Sequence, residues 1–219
     1  MQHPVGMRPF LVVYATRTGY TRQVAEHIAD RIRTLAHEAQ IQDARTEALP
    51  PLERYSAVIL AAGVHLGHHE REMVKFVRAR RRELDALPTL FLSVSLTEAV
   101  AADVHRPDDE RLEAQRAIRK VLDDFVLETG WRPGKAMPIA GALTETTYGP
   151  LTRLLIRKIA HRNVPDEPTR QVVFTDWAAL NVVADNLVHQ AAERSKTAPP
   201  LPPEPAAFRN VVEGAVFAP

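Results

Sequence analysis

Apolar residues fall along the chain in short dense runs, separated by longer segments with a helical period. Phe10-Leu11-Val12-Val13-Tyr14-Ala15 is apolar without alternation, the pattern of a strand buried on both faces. After Gly19, Val24, Ala25, Ile28, Ala29, Ile32 and Leu35 share one face of a helix that begins near Thr21. A weaker strand is expected over 41–48, and Ala57 to Ala62 forms a second strongly apolar strand ending at Gly63. Glu70 to Leu84 reads as a helix offering Met73, Val74, Phe76, Val77 and Leu84 to the core. Thr89 to Val94 is the next strand, and a polar stretch from Thr97 to Asp109 leads into a helix over 110–128. A strand is expected over Lys135 to Leu143, a helix over Gly149 to His161, a short β segment over 171–175 and a last helix over Trp177 to Glu193. Strands and helices that alternate in this way build a doubly wound α/β fold around a parallel sheet. The expected domain covers 10–194. A tail over 195–219 carries prolines at 199, 200, 202, 203 and 205.

The loop after the first strand is where an open α/β sheet receives ligands. Here it reads Thr16-Arg17-Thr18-Gly19-Tyr20-Thr21. Three threonine hydroxyls, a glycine that admits close approach and the free amides of a helix start suit a phosphate monoester held by neutral donors. Thr16, Thr18, Gly19 and Thr21 are the expected phosphate contacts, with Arg17 and Tyr20 adding backbone N–H groups. No Gly-Lys-Ser/Thr follows and the G-x-G-x-x-G spacing is missing, so neither the Walker loop nor the dinucleotide fingerprint applies. The same residues also suit a helix cap that serves stability alone.

These residues resemble the flavodoxin superfamily, whose flavin mononucleotide (FMN) loop has the pattern S/T-x-T-G-x-T. Gly63-Val64-His65-Leu66-Gly67-His68-His69 and Ser93-Val94-Ser95-Leu96 resemble the second and third flavin loops of the menaquinone-dependent protoporphyrinogen dehydrogenase family. Gly130-Trp131-Arg132-Pro133, Ile139 to Leu143 and Phe174-Thr175-Asp176-Trp177 resemble further segments of that family, in the same order. The resemblance implies a flavodoxin-like α/β sandwich with a five-stranded parallel sheet in the order 2-1-3-4-5. It implies FMN as cofactor, a porphyrinogen substrate and a quinone acceptor. Gly63, Val64, His65, Leu66 and Gly67 would flank one side of the flavin ring, and Ser93, Val94, Ser95 and Leu96 the other. The polar stretch over 97–109 would correspond to an insertion that the family carries near the flavin. Where the family has an aromatic residue, Arg-Tyr-Gly-His, this chain has Leu66, and its stretch over 144–148 holds a single aromatic, Tyr148.

Composition narrows the alternatives. The 219 residues are 45% hydrophobic and 25% charged, an ordinary globular balance. The absence of cysteine excludes disulfides, thiolate metal sites and thiol nucleophiles. A formal net charge of +1 argues against nucleic-acid binding and against a strongly acidic electron carrier. A flavodoxin-like carrier and a scaffold that binds a partner without flavin are the rival readings. The chain shows no span of the ~20 apolar residues that would cross a bilayer and no secretory leader, as expected of a cytoplasmic protein. Arg153, Arg157, Lys158 and Arg162 on an amphipathic stretch are the candidate contacts to an anionic membrane at its inner face. Arg71, Lys75, Arg78 and Arg80 to Arg82 form a second basic stretch, read as the solvated face of a core-packed helix. His65 and His68, with His69, are candidate proton carriers; set around Gly67 in a loop, they do not have the spacing of a metal site. The oligomeric state stays open, a homo-oligomer included.

Overall fold

The computed structural model of the protein describes residues 7–46, 50–143 and 172–197. Successive side chains of a strand point to opposite faces, so an unbroken apolar run must be covered on both sides. In β1 (Phe10–Ala15), Phe10 and Val12 enter one core layer while Leu11, Val13 and Ala15 enter the other. In β3 (Ala57–His65), Ile59 and Ala61 go to the first layer and Val58, Leu60 and Ala62 to the second. Helix α1 (Tyr20–Thr34) covers the first layer with Val24, Ala25, Ile28, Ala29 and Ile32, together with α5 (Trp177–Thr197) through Leu180, Val183, Ala184 and Leu187. Arg31 clasps Asp185 with two hydrogen bonds of 2.8 and 2.7 Å, tying α1 to α5. Helix α2 (Arg71–Asp85) covers the second layer with Met73, Val74, Phe76, Val77 and Leu84. Helix α4 (Asp108–Thr129) adds Phe125 there, and Trp131 lies beside it.

The main sheet runs β2 (Ala39–Asp43), β1, β3, β5 (Thr89–Ser95), β6 (Lys135–Ala140), all parallel, with the two-residue β4 (His68–His69) antiparallel to β3. Counting only the parallel strands, this is the expected 2-1-3-4-5 order. The register sets Ala15 beside Ala62, Gly63 beside Val94 and Ser95 beside Ala140. The carboxyl ends of neighbouring strands, about 4.8 Å apart, therefore share one edge.

Several segments depart from the sequence-based expectation. The second strand ends at Asp43, because the Asp43 carboxylate accepts the Arg45 N–H at 2.9 Å and turns the chain. The third strand passes Gly63 and folds back as a hairpin with β4 through Leu66 (φ 50°) and Gly67 (φ 79°). The polar stretch begins with helix α3 (Leu96–Ala102), capped by Ser95. The strand expected to reach Leu143 breaks at Gly141, whose N–H is donated to Ser95 O at 2.9 Å. Beyond it β7 (Ala142–Leu143) pairs antiparallel with β8 (Val172–Val173) instead of extending the main sheet. Helix α5 continues to Thr197, so the first tail residues are helical. The helix expected at 149–161, with Arg153, Arg157, Lys158 and Arg162, lies outside the described residues, as does the tail from 198.

Candidate functional site

Three segments meet at the carboxyl edge of the sheet: the loop after β1, the β3–β4 hairpin and the end of β5. The loop is shaped by its own side chains. Thr16 Oγ1 accepts the Gly19 N–H at 3.0 Å, closing a tight turn in front of α1. Gly19 precedes the helix in the left-handed region (φ 89°), where a side chain is strained, and nothing lies within 4 Å of where a Cβ would stand. The Arg22 and Gln23 N–H groups are donated to Gly19 O, at 3.2 and 3.4 Å, and the amides ahead of them lie at the positive end of the helix dipole. No acidic residue occupies the first turn of α1. The result is an open, electropositive cradle without lysine.

The expected phosphate contacts take different postures. Thr18 is exposed and Thr16 partly so, whereas Thr21 is buried against Gly63, with its Oγ1 3.1 Å from where a Gly63 Cβ would lie. The Arg17 guanidinium turns to the nearly buried Glu70 carboxylate, 3.4 Å away. Tyr20 sends its ring into the core, where its hydroxyl bonds Thr175 and burial pushes the phenol pKa up. The side chains of Arg17 and Tyr20 thus both turn away from the loop opening, which leaves their backbone there. On the α2 side a cleft of about 260 Å³ borders the loop, lined by Thr16, Arg17, Asp43, Arg45, Glu70 and Arg71 among others. The hairpin tip and the end of β5 do not line it, so this cleft adjoins the loop over 16–21 and not the other two segments.

The hairpin and the end of β5 lie side by side, with Gly63 paired to Val94. His65, Leu66, Gly67 and His68 are exposed along the hairpin, and Val64 is partly covered. Leu66 is 86% exposed at the tip, in a left-handed conformation that a branched apolar side chain rarely adopts. His69, read from sequence as part of an accessible histidine cluster, is instead buried. Its Nε2 lies 2.9 Å from Ser93 Oγ, and its ring packs against Phe91 and Phe125 with centroids 5.1 and 4.8 Å away. Desolvation, then the neighbouring His68, lowers its pKa to about 4. Ser95 points its hydroxyl at the Glu98 N–H of α3, 3.3 Å away. The string Ser95-Leu96-Thr97-Glu98 is a capping-box pattern, the sequence signal that announces α3 and that the reading of a polar stretch passed over. Burial raises the Glu98 pKa.

A family model described as a flavodoxin domain matches residues 11–169. A protoporphyrinogen IX dehydrogenase [quinone] of Escherichia coli K12 is 28% identical over 180 residues, covering 82% of this chain and 94% of its own. A protein of the same name from Leishmania major is 28% identical over 182 residues, covering 80% of this chain and 73% of its own. Among solved structures, a short-chain flavodoxin associated with a bacterial microcompartment aligns with a TM-score of 0.46 at 17% identity, covering 84% of this chain and 99% of its own.

Proposed function

This chain belongs to the flavodoxin domain family, and from that premise we propose that it is an FMN-dependent oxidoreductase that takes protoporphyrinogen IX to protoporphyrin IX with a quinone as acceptor. The observation that carries the reading is the loop over 16–21, open at Gly19 and built of hydroxyls and helix-start amides. Its donor set fits a phosphate monoester, and the two segments beside it rise from adjacent strands. The similarity to the two dehydrogenases supports the substrate class.

Bound FMN supplies the two-electron redox chemistry, and the chain supplies position, charge and access. Thr16, Thr18 and Thr21 with the amides of Arg17 and Tyr20 hold the phosphate at the opening that Gly19 leaves, and the α1 dipole offsets its charge. Gly63 to Gly67 and Ser93 to Leu96 bound the ring from two strands. His65 and His68, exposed on the hairpin, carry protons between the site and solvent. Arg71, Lys75, Arg78 and Arg82 recur along the exposed face of α2 and draw anionic groups such as substrate carboxylates. Arg153, Arg157, Lys158 and Arg162 are assigned to a peripheral contact with an anionic membrane. No helix among the described residues is long and apolar enough to cross one.

The test is direct. Purified protein should be yellow or take up added FMN stoichiometrically, and under anaerobic conditions should convert protoporphyrinogen to fluorescent porphyrin with a menaquinone analogue. A colourless protein that takes up no FMN overturns the cofactor. A flavoprotein that raises no fluorescence above autoxidation overturns the substrate.

A further inference from the structure

The parallel ladder between β3 and β5 ends at the pair Gly63–Val94. Beyond it the hairpin projects from the sheet, carrying Val64 to His68. Its return is held by the Glu70 N–H, donated to Gly63 O at 3.0 Å, and by antiparallel pairing of Val64 with His69. Both of these bonds lie within the hairpin itself. The link from the hairpin's returning limb to β5 is a side-chain bond, His69 Nε2 to Ser93 Oγ at 2.9 Å. Both partners are buried, at 6% and 3% exposure, and the imidazole is braced by Phe91 of β5 and Phe125 of α4. A polar contact enclosed by aromatic rings has no water to replace it when broken, so its geometry is strongly enforced.

The geometry points to His69 as a positioning residue: through Ser93 it sets the separation of the hairpin from the end of β5, and so the width of the slot that receives the flavin ring. The residue touches no reacting atom in this role. The inference rests on the FMN reading above and adds a determinant that lies beneath the ring-flanking segments. Desolvation keeps the imidazole neutral near pH 7, so the bond to Ser93 is a bond between uncharged groups.

Two variants break the bond from opposite ends. His69→Phe keeps an aromatic ring between Phe91 and Phe125 and loses the polar contact, whereas Ser93→Ala keeps the imidazole and loses its partner. FMN dissociation constants by fluorescence quenching, flavin absorption maxima and the flavin midpoint potential are measured on both and on the double variant, with near-ultraviolet dichroism to confirm folding. Each single variant should bind FMN about tenfold more weakly, the size expected for one buried hydrogen bond. Each should shift the absorption bands and the potential in the same direction, and the double variant should match the singles instead of compounding them. Wild-type affinity, spectrum and potential in either folded variant overturn the inference while leaving the FMN reading intact. A wild-type protein that takes up no FMN overturns both.

Discussion

The Tyr20 hydroxyl meets Thr175 Oγ1 in the protein interior, joining the first residue of α1 to one 155 positions later. Thr175 spends its single proton on Ala140 O at the end of β6, so Tyr20 must be the donor of the pair. The helix that follows the loop over 16–21 is thereby anchored to the last strand of the main sheet. The two variants should differ in cost. Tyr20→Phe removes a donor and leaves Thr175 and Ala140 paired, for a loss of about 1 kcal/mol. Thr175→Val strands both the phenol and the carbonyl, for a loss of about 2 kcal/mol or more. Urea unfolding of the two variants checks the order, and equal losses would contradict it.

His69 makes stability depend on pH in a defined direction. Its folded pKa of about 4 lies below the ordinary histidine value of 6.5, so protons bind the unfolded chain more readily. The contribution is full above pH 6.5, declines as pH falls from 6.5 to 4, and amounts to about 3 kcal/mol across that window. Unfolding free energies at pH 7 and pH 5 should therefore diverge more in wild type than in His69→Phe. Parallel pH profiles for the two proteins would refute the assignment.

The exposed Thr18 separates binding from folding. Thr18→Asp sets a second anion in front of the phosphate and should weaken FMN binding at least about tenfold. The melting temperature of the FMN-free protein should hardly change, because no core contact is lost. Isothermal titration with FMN and a thermal melt of the apoprotein give the two readouts.

Leu66 carries a backbone cost that its own core contacts do not repay. Its φ of 50° followed by Gly67 at 79° is the geometry of a tight hairpin turn that favours Asn-Gly. Leu66→Asn should stabilise the protein by about 0.5–1 kcal/mol, raising the melting temperature by roughly 1–4 °C. An unchanged or lower melting temperature would show that the leucine has a compensating contact.

Ser95 caps α3 by accepting the Glu98 N–H. Ser95→Ala should cost about 1 kcal/mol. The loss should localise to α3, seen as faster amide exchange over 96–102 with β5 unchanged. Uniform acceleration across the sheet would argue for a wider role.

Much of this was legible in the chain itself, because some patterns are local and self-sufficient. The runs at 10–15 and 57–62 have no polar face to expose, and 89–94 is apolar but for Thr89 and Ser93, so all three became central parallel strands. A Thr/Gly loop that follows the first of them directly can only lie at the carboxyl edge. Local signals were also missed where two readings competed. The capping box at Ser95 straddles the end of the segment over 93–96 and the polar stretch that starts at Thr97, so neither reading alone shows a helix start, and the Leu66-Gly67 turn is hidden because leucine is a poor residue for its position.

The order of residues alone determined the layered α/β architecture, the place of the Thr/Gly loop between β1 and α1 and the buried faces of α1 and α2. Each follows from backbone geometry and side-chain period over a few neighbouring positions. Only the tertiary structure decided which polar groups became partners. His69 lost its access to water because Phe91 and Phe125, 22 and 56 positions away in the chain, close around it. Tyr20 was turned inward by Thr175 from the far end of the domain. Burial and hydrogen bonding between distant segments depend on where the whole chain brings them, and no local pattern encodes that distance.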